Sequence, residues 1–313
     1  MKIHDAHCHF FSRAFFAALA RETGEPAATH ADGATAVTSR LGWDDPGTDD
    51  DLADRWVAAL DTHHVARAML IASVPTQPAI EAVGAAVTRH PHRFVGAFMV
   101  DPTRPETTEL TEGALRAWGF SCVCLFPAMH HYALDDARVS ALVDTIERHA
   151  TRRAAVFVHC GVLALGVRKK LGLPSRFDIR RGRPLDVLAL AQRYPHVPFV
   201  IPHFGAGFFS DALMAADLAS NIYLDTSSSN GWTRYHPNLS LADVLRQTLA
   251  VLGPERLLFG TDSSFFPRGW QRSVWRDQAV ALEDCADWPD AVTRVMTGTF
   301  EFLFGSTGFE LED

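Results

Sequence analysis

The sequence predicts an α/β fold: a single-domain (β/α)8 TIM barrel spanning residues 1–313. Two observations carry this reading. Eight short apolar runs alternate with longer amphipathic stretches, the pattern of parallel strands joined by helical crossovers. Eight such units is the number that closes a barrel. An open doubly wound sheet is the rival, but the first run ends in His7-Cys8-His9 and no GxGxxG phosphate turn follows it.

The runs are Ile3 to His9, Ala66 to Ser73, Phe94 to Val100, Cys122 to Phe126, Ala154 to Cys160, Phe199 to His203, Ile222 to Thr226 and Leu257 to Asp262. Most are rich in Val, Ile, Leu and Phe, as strands buried on both faces are. Helical patterns fill the spaces at Asp51 to His63, Pro78 to His90, Asp136 to Arg152, Pro184 to Tyr194 and Leu241 to Leu252, and Pro289 to Phe304 reads as a last helix closing the barrel. Pro78 and Pro184 suit a first helical turn, where no N–H partner is needed. Three connections are long: 10–50, 161–183 and 227–240, after strands one, five and seven. They are expected to build the barrel face on which active sites sit.

Hydrophobic residues make up 47% of the chain and charged residues 21%, enough for a large core. The net charge of −8 argues against a nucleic-acid partner, which calls for a basic surface. No apolar run approaches the ~18 residues that span a bilayer. The chain opens directly on a strand-like segment, and its five cysteines (Cys8, Cys122, Cys124, Cys160 and Cys285) include no CxxC pair. These features predict free thiols and a cytoplasmic protein.

Ligand-capable residues collect at strand ends. His7 and His9 close strand one, His159 strand five, His203 strand six and Asp262 strand eight. Side chains alternate along a strand, so His7 and His9 are expected on one face. Uninterrupted alternation adds Asp5 to that face one step deeper and turns His4 away. A lone histidine is most often structural, but histidines ending several strands of one barrel share an explanation in a metal ion. His7, His9, His159 and Asp262 predict a site for one divalent metal, Zn2+ foremost, with Mn2+, Fe2+ or Co2+ as alternatives. Four protein ligands of this kind leave room for water, which such a metal acidifies. The only lysines are Lys2, Lys169 and Lys170. None lies on strand four, which excludes a carboxylated-lysine bridge to a second metal there.

Asp5-Ala6-His7-Cys8-His9, Val158-His159-Cys160-Gly161, Pro202-His203-Phe204-Gly205 and Phe259-Gly260-Thr261-Asp262-Ser263 together resemble the amidohydrolase superfamily. The branch is similar to amidohydrolase-2, which contains aminocarboxymuconate-semialdehyde decarboxylase. The likeness spans essentially the whole chain, including the closing Phe300-Glu301-Phe302-Leu303-Phe304-Gly305. It implies the same four metal ligands, a general-base or electrostatic role for His203 beside the metal, and a homodimer. Thr299-Phe300 departs from the Asn-Ala pair frequent before the last helix.

Two features bear on a substrate. Arg168, Lys169, Lys170, Arg176, Arg180, Arg181 and Arg183 follow strand five, opposed in that stretch only by Asp178. They read either as a solvated loop or as the source of a carboxylate clamp. Phe10, Phe11, Trp232, Phe265, Phe266 and Trp270 flank strand ends, as pocket wall or as packing. The expected function is a metal-dependent hydrolase of a small, carboxylate-bearing or cyclic substrate, with His203 or Asp262 moving the proton. The alternatives are a nonoxidative decarboxylase using the same residues and an inactive metal-binding scaffold.

Overall fold

A computed structural model describes residues 2–24, 30–149, 154–285, 287–288 and 290–305. The strands are β1 (Ile3–Phe10), β2 (Val65–Ala72), β3 (Phe94–Val100), β4 (Cys122–Leu125), β5 (Ala155–Val158), β6 (Phe199–Ile201), β7 (Ile222–Asp225) and β8 (Leu257–Leu258). They form one eight-stranded sheet in sequence order, each pairing parallel with the next. The chain beyond β8 returns to β1. Ala6 N–H donates to Phe259 O at 2.8 Å, Asp262 N–H to His7 O at 2.9 Å and His9 N–H to Ser263 O at 2.7 Å. The expected TIM barrel is the observed fold.

Alternation sorts the strands' side chains into two layers. Met69, Ile71, Val95, Ala97, Met99 and Phe157 fill the barrel interior. Leu70, Phe98, Val123, Val156, Ile201 and Leu224 face the helices. Two helices begin at capping boxes, Thr48 with Asp51 and Ser240 with Asp243, which satisfy otherwise unpaired backbone N–H groups. The helix expected over Asp136 to Arg152 is observed over Ala137–His149, and residues 150–153 lie outside the described set. The closing helix is split into Ala291–Thr293, a π turn Arg294–Gly298 and Thr299–Phe304; Pro289 lies outside the described residues. Phe300, Leu303 and Phe304 stop the lower end of the barrel. No described helix is long and apolar enough to cross a membrane.

Strand β1 departs from simple alternation. Asp5 pairs with Ala68 and Cys8 with Leu70, so β1 carries one residue more than β2 over this stretch. This β-bulge changes the strand's phase. His4 and Ala6 point into the barrel, His4 against Phe300, and then His7 and His9 also point inward. Asp5 faces outward instead. The expectation that Asp5 shares the face of His7 and His9 is therefore corrected, as is the outward placement of His4.

The three long connections are ordered over their described parts. The first holds helices Arg13–Thr23 and His30–Leu41, the second a short helix Gly166–Lys170 and a 3-10 turn Ile179–Arg181, and the third a 3-10 turn Gly231–Tyr235.

Candidate metal centre

At the upper end of the barrel, the donor atoms of His7, His9 and Asp262 lie within 4.8 Å of one another. His9 Nε2 is 3.1 Å and His7 Nε2 3.8 Å from Asp262 Oδ1. His203 stacks on His7 at a centroid separation of 5.0 Å, and His159 meets His203 edge-on at 5.3 Å. His159 does not join the tight group of three; it leans on Phe126, 5.4 Å away. All five residues line one cavity of about 580 Å³.

The hydrogen-bond network fixes which nitrogen of each ring carries a proton. His7 Nδ1 lies 2.7 Å from Asp225 Oδ2, and an ionised carboxylate only accepts. The proton sits on Nδ1, and Nε2 keeps its lone pair toward Asp262. Ser73 donates its hydroxyl to Ile71 O, so it accepts from His9 Nδ1 at 2.8 Å, and His9 Nε2 is likewise a bare donor. His203 Nδ1 faces the Ser227 carbonyl at 3.2 Å and the Ser227 hydroxyl at 2.8 Å, which leaves its Nε2 lone pair free. His159 Nδ1 is buried with no hydrogen-bond partner among the described residues. Three imidazoles with oriented lone pairs, one carboxylate and an orphaned ring nitrogen fit a divalent metal.

Electrostatics favour the neutral form at three of the four rings. Burial, reinforced by His203 and His7, holds His159 well below the usual histidine range. Burial also lowers His9 and, with help from His7, His203. For His7, burial is outweighed by Asp225, Asp262 and Asp5, and the net shift is upward. Burial pushes Asp262 up, but His9, His7 and His203 hold its carboxyl well below the usual range.

The backbone at this end is strained. His203 and Asp262 take φ of 55° and 59°, a region that non-glycine residues rarely enter. Each is held from outside. Ala206 N–H bonds His203 O at 2.9 Å. Gln271 Nε2 bonds the carbonyls of Thr261 and Asp262, each at 3.1 Å. Asp5, fully buried, is the anchor beneath. It accepts from His7 N, Thr261 N, Thr261 Oγ1 and Trp270 Nε1, so it ties β1 to the turn carrying Asp262. Strain of this kind persists where surrounding structure over-determines it, and it gathers at functional sites.

Three supporting residues escaped the sequence reading. Asp225 carried a legible signal, a carboxylate ending the apolar run of β7. Ser73 and Ser227 carried none. The aromatic expectation holds for Phe11, Trp232 and Phe265, which line the cavity with Trp43. The other three take the packing alternative. Phe10 is buried in the outer layer, Phe266 packs on Trp56, and Trp270 serves Asp5. Of the basic loop, only Lys170 lines this cavity, 5.5 Å above the Trp43 ring. Arg180 and Arg181 pair with Asp178, and Arg168 pairs with Glu22 at 2.7 Å, so Asp178 is not the loop's only opponent. A cation the loop did not suggest, Arg268, also lines the cavity, 4.4 Å over the Phe265 ring and bonded to Ser264 Oγ at 2.7 Å. Trp43 and Phe265 stack at 3.7 Å, so Lys170 and Arg268 flank an aromatic pair at the cavity wall.

A family model described as Amidohydrolase matches residues 4–299. No curated protein matches the chain. Among solved structures, an amidohydrolase from Burkholderia multivorans with bound zinc is 15% identical, with a TM-score of 0.60 and 97% of this chain and 99% of that chain covered. A probable 2-pyrone-4,6-dicarboxylic acid hydrolase from Acinetobacter baumannii, with citric acid bound, is 16% identical at a TM-score of 0.59, covering 97% and 100%. The 5-carboxyvanillate decarboxylase of Novosphingobium aromaticivorans, with bound manganese and 3-methoxy-4-hydroxy-5-nitrobenzoic acid, is 14% identical at 0.59, covering 96% and 95%. At these identities the likeness concerns the fold.

Proposed function

Because this chain belongs to the amidohydrolase family, we propose that it is a metal-dependent hydrolase of a small, flat, carboxylate-bearing substrate. His7, His9, His159 and Asp262 would hold one divalent metal, zinc foremost. The observation that carries the reading is the set of fixed tautomers, which turns bare Nε2 atoms of His7 and His9 toward the Asp262 carboxylate. When bound, the metal supplies Lewis acidity, polarising a substrate oxygen and acidifying water.

The protein's own residues do the rest. His203 holds its proton on Nδ1 against Ser227 and accepts the nucleophile's proton at Nε2; as an acid it returns that proton to the leaving group. Asp225 fixes His7, and Ser73 fixes His9, so neither ring reorients during the reaction. Arg268 offers a guanidinium to a substrate carboxylate. Trp43 and Phe265 present a flat face to the rest. Five buried free thiols support a reducing, cytoplasmic setting.

The aromatic pair flanked by cations also favours a second reading, nonoxidative decarboxylation of an aromatic or muconate-type acid. In that case His203 first takes a proton at Nε2 from water and then passes it to carbon as the C–CO2 bond breaks. The fold shared with a 2-pyrone-4,6-dicarboxylic acid hydrolase and with a 5-carboxyvanillate decarboxylase supports each reading equally. Product mass separates them. Metal-loaded protein is incubated with hydroxybenzoates, muconate-type acids, lactones and amides. A product heavier by one water, or split by it, is expected. A product lighter by one CO2 establishes the decarboxylase. A fully metal-loaded protein that leaves the whole panel unchanged counts for the inactive scaffold.

A further inference from the structure

A second cavity, of about 910 Å³, adjoins the first on the same end of the barrel. Phe15, Ser73, Met99, Met129, Leu165 and Val167 line both. The two spaces therefore share a neck, mostly apolar, whose one hydroxyl is the Ser73 group that holds His9. Beyond the neck the lining changes character. Arg21, Arg104, Arg168 and Arg176 face the second cavity, against one acidic residue, Glu22. This concentration stands on a chain of net charge −8. The arginines come from three separate connections, after β1, β3 and β5, so the basic run after β5 supplies only Arg168 and Arg176.

Existing partners occupy only part of this capacity. Arg168 is engaged by Glu22 at 2.7 Å and the Pro174 carbonyl at 3.0 Å, and Arg104 by Asp101 at 3.5 Å, Glu106 at 3.9 Å and the Pro75 carbonyl at 3.4 Å. Arg176 is exposed and makes no hydrogen bond or ion pair among the described residues. His130 lines the cavity as well, and its buried Nδ1 has no partner among those residues.

We infer that the second cavity is a subsite for a distal anionic group, a carboxylate or a phosphoryl group, on an elongated substrate whose reacting end sits beside His203. The inference rests on the functional reading above and extends it: the substrate carries at least two anionic groups, joined by an apolar spacer that passes Met99 and Met129. Arg176 meets the distal group, and Arg104 and Arg168 supply the surrounding positive field.

Calorimetric titration of the zinc-loaded protein tests this without any turnover. The probes are saturated monocarboxylates, α,ω-dicarboxylates and ω-phosphonocarboxylates of increasing length. Beyond a threshold length, the dianions are expected to bind about tenfold more tightly than the monoacid of equal length, the effect of one added charge-assisted contact. The stronger of the two headgroups identifies the distal group. Arg176→Glu should abolish the gain and leave the monoacid affinity unchanged. Since Arg176 is exposed and unpartnered, this variant keeps its fold. Arg180→Ala, at a residue paired with Asp178 and absent from both cavities, should change nothing. Dianions that gain nothing with length, or a gain that survives Arg176→Glu, would overturn the subsite. Monoacids that do not bind, beside dianions that bind in an Arg176-dependent way, would remove the carboxylate contact at Arg268 and leave the subsite standing.

Discussion

Replacing Asp225 by asparagine tests the centre through a residue that touches no metal. The wild-type carboxylate accepts from His7 Nδ1 at 2.7 Å with one oxygen and from the Ser227 backbone N–H with the other. An amide of the same shape keeps one acceptor oxygen. Whichever way it turns, an NH2 group faces either His7 Nδ1–H or Ser227 N–H, two donors in a site only 1% exposed. The lower-cost solution is for His7 to move its proton to Nε2, which removes the lone pair directed at Asp262. Partners that orient a ligating histidine in this way are worth about 10–100-fold in metal affinity, or roughly 1.4–2.8 kcal/mol at 1.4 kcal/mol per tenfold. Zinc competition against a chromogenic chelator at neutral pH measures the change directly. Thermal melting of the metal-free protein shows whether the variant is folded. A folded Asp225→Asn protein that binds zinc as the wild type does would refute the tautomer argument, and with it the roles of Asp225 and His7.

Three other outcomes are expected. His203→Gln should lower kcat by about 10²–10⁴ while zinc per chain, measured by atomic emission, stays at the wild-type value; loss of zinc would make His203 a ligand instead. Burial and the neighbouring His7 lower the His203 pKa from 6.5, and a general base works only when neutral. Activity should therefore persist as pH falls to 6.5, with the acid limb of kcat/KM below that value and absent from His203→Gln. Gly260→Ala would place a Cβ 2.8 Å from His7 Cβ and 2.9 Å from Ser227 Cβ. Urea denaturation of the metal-free variant should show a loss of about 1–3 kcal/mol from overpacking, and titration should show weakened zinc binding.

Much of this was legible in the chain because strong local signals coincided. A buried parallel strand must be apolar on both faces, so the eight runs stood out, and polar residues ending those runs stood out against them. His7, His9, His203 and Asp262 gather at one mouth for that reason. What stayed hidden depends on contacts between distant segments. Ser73 and Ser227 are ordinary loop-entry serines until the barrel closes and sets them beside His9, His7 and His203. Arg268 is held locally by Phe265 and Ser264, but only the stacking of Phe265 on the distant Trp43 brings it to the cavity wall. The basic loop after β5 was legible only as a group of charges. Charge alone does not separate Arg180, spent on Asp178, from Lys170, which reaches the cavity. Asp5 was misplaced because period-two reasoning has no means of detecting an inserted residue.

That inserted residue acts on β1 as a phase slip acts on a wave. Below the slip, even-numbered residues look into the barrel; above it, odd-numbered ones do. A strand without the slip could supply the same two histidines, but its next inward neighbour would be a carboxylate. The floor of the pocket would then hold a charge competing with Asp262 for the same imidazoles. With the slip, Ala6 occupies that floor, and Asp5 stands behind it as a brace. One extra residue thus gives two adjacent acids separate careers, one holding the frame and one facing the chemistry. For anyone redesigning this barrel, the length of β1 matters as much as its composition. Deleting Ala6 would restore an even ladder with β2, keep Asp5 outward and set His4 in place of Ala6 beneath the two histidines.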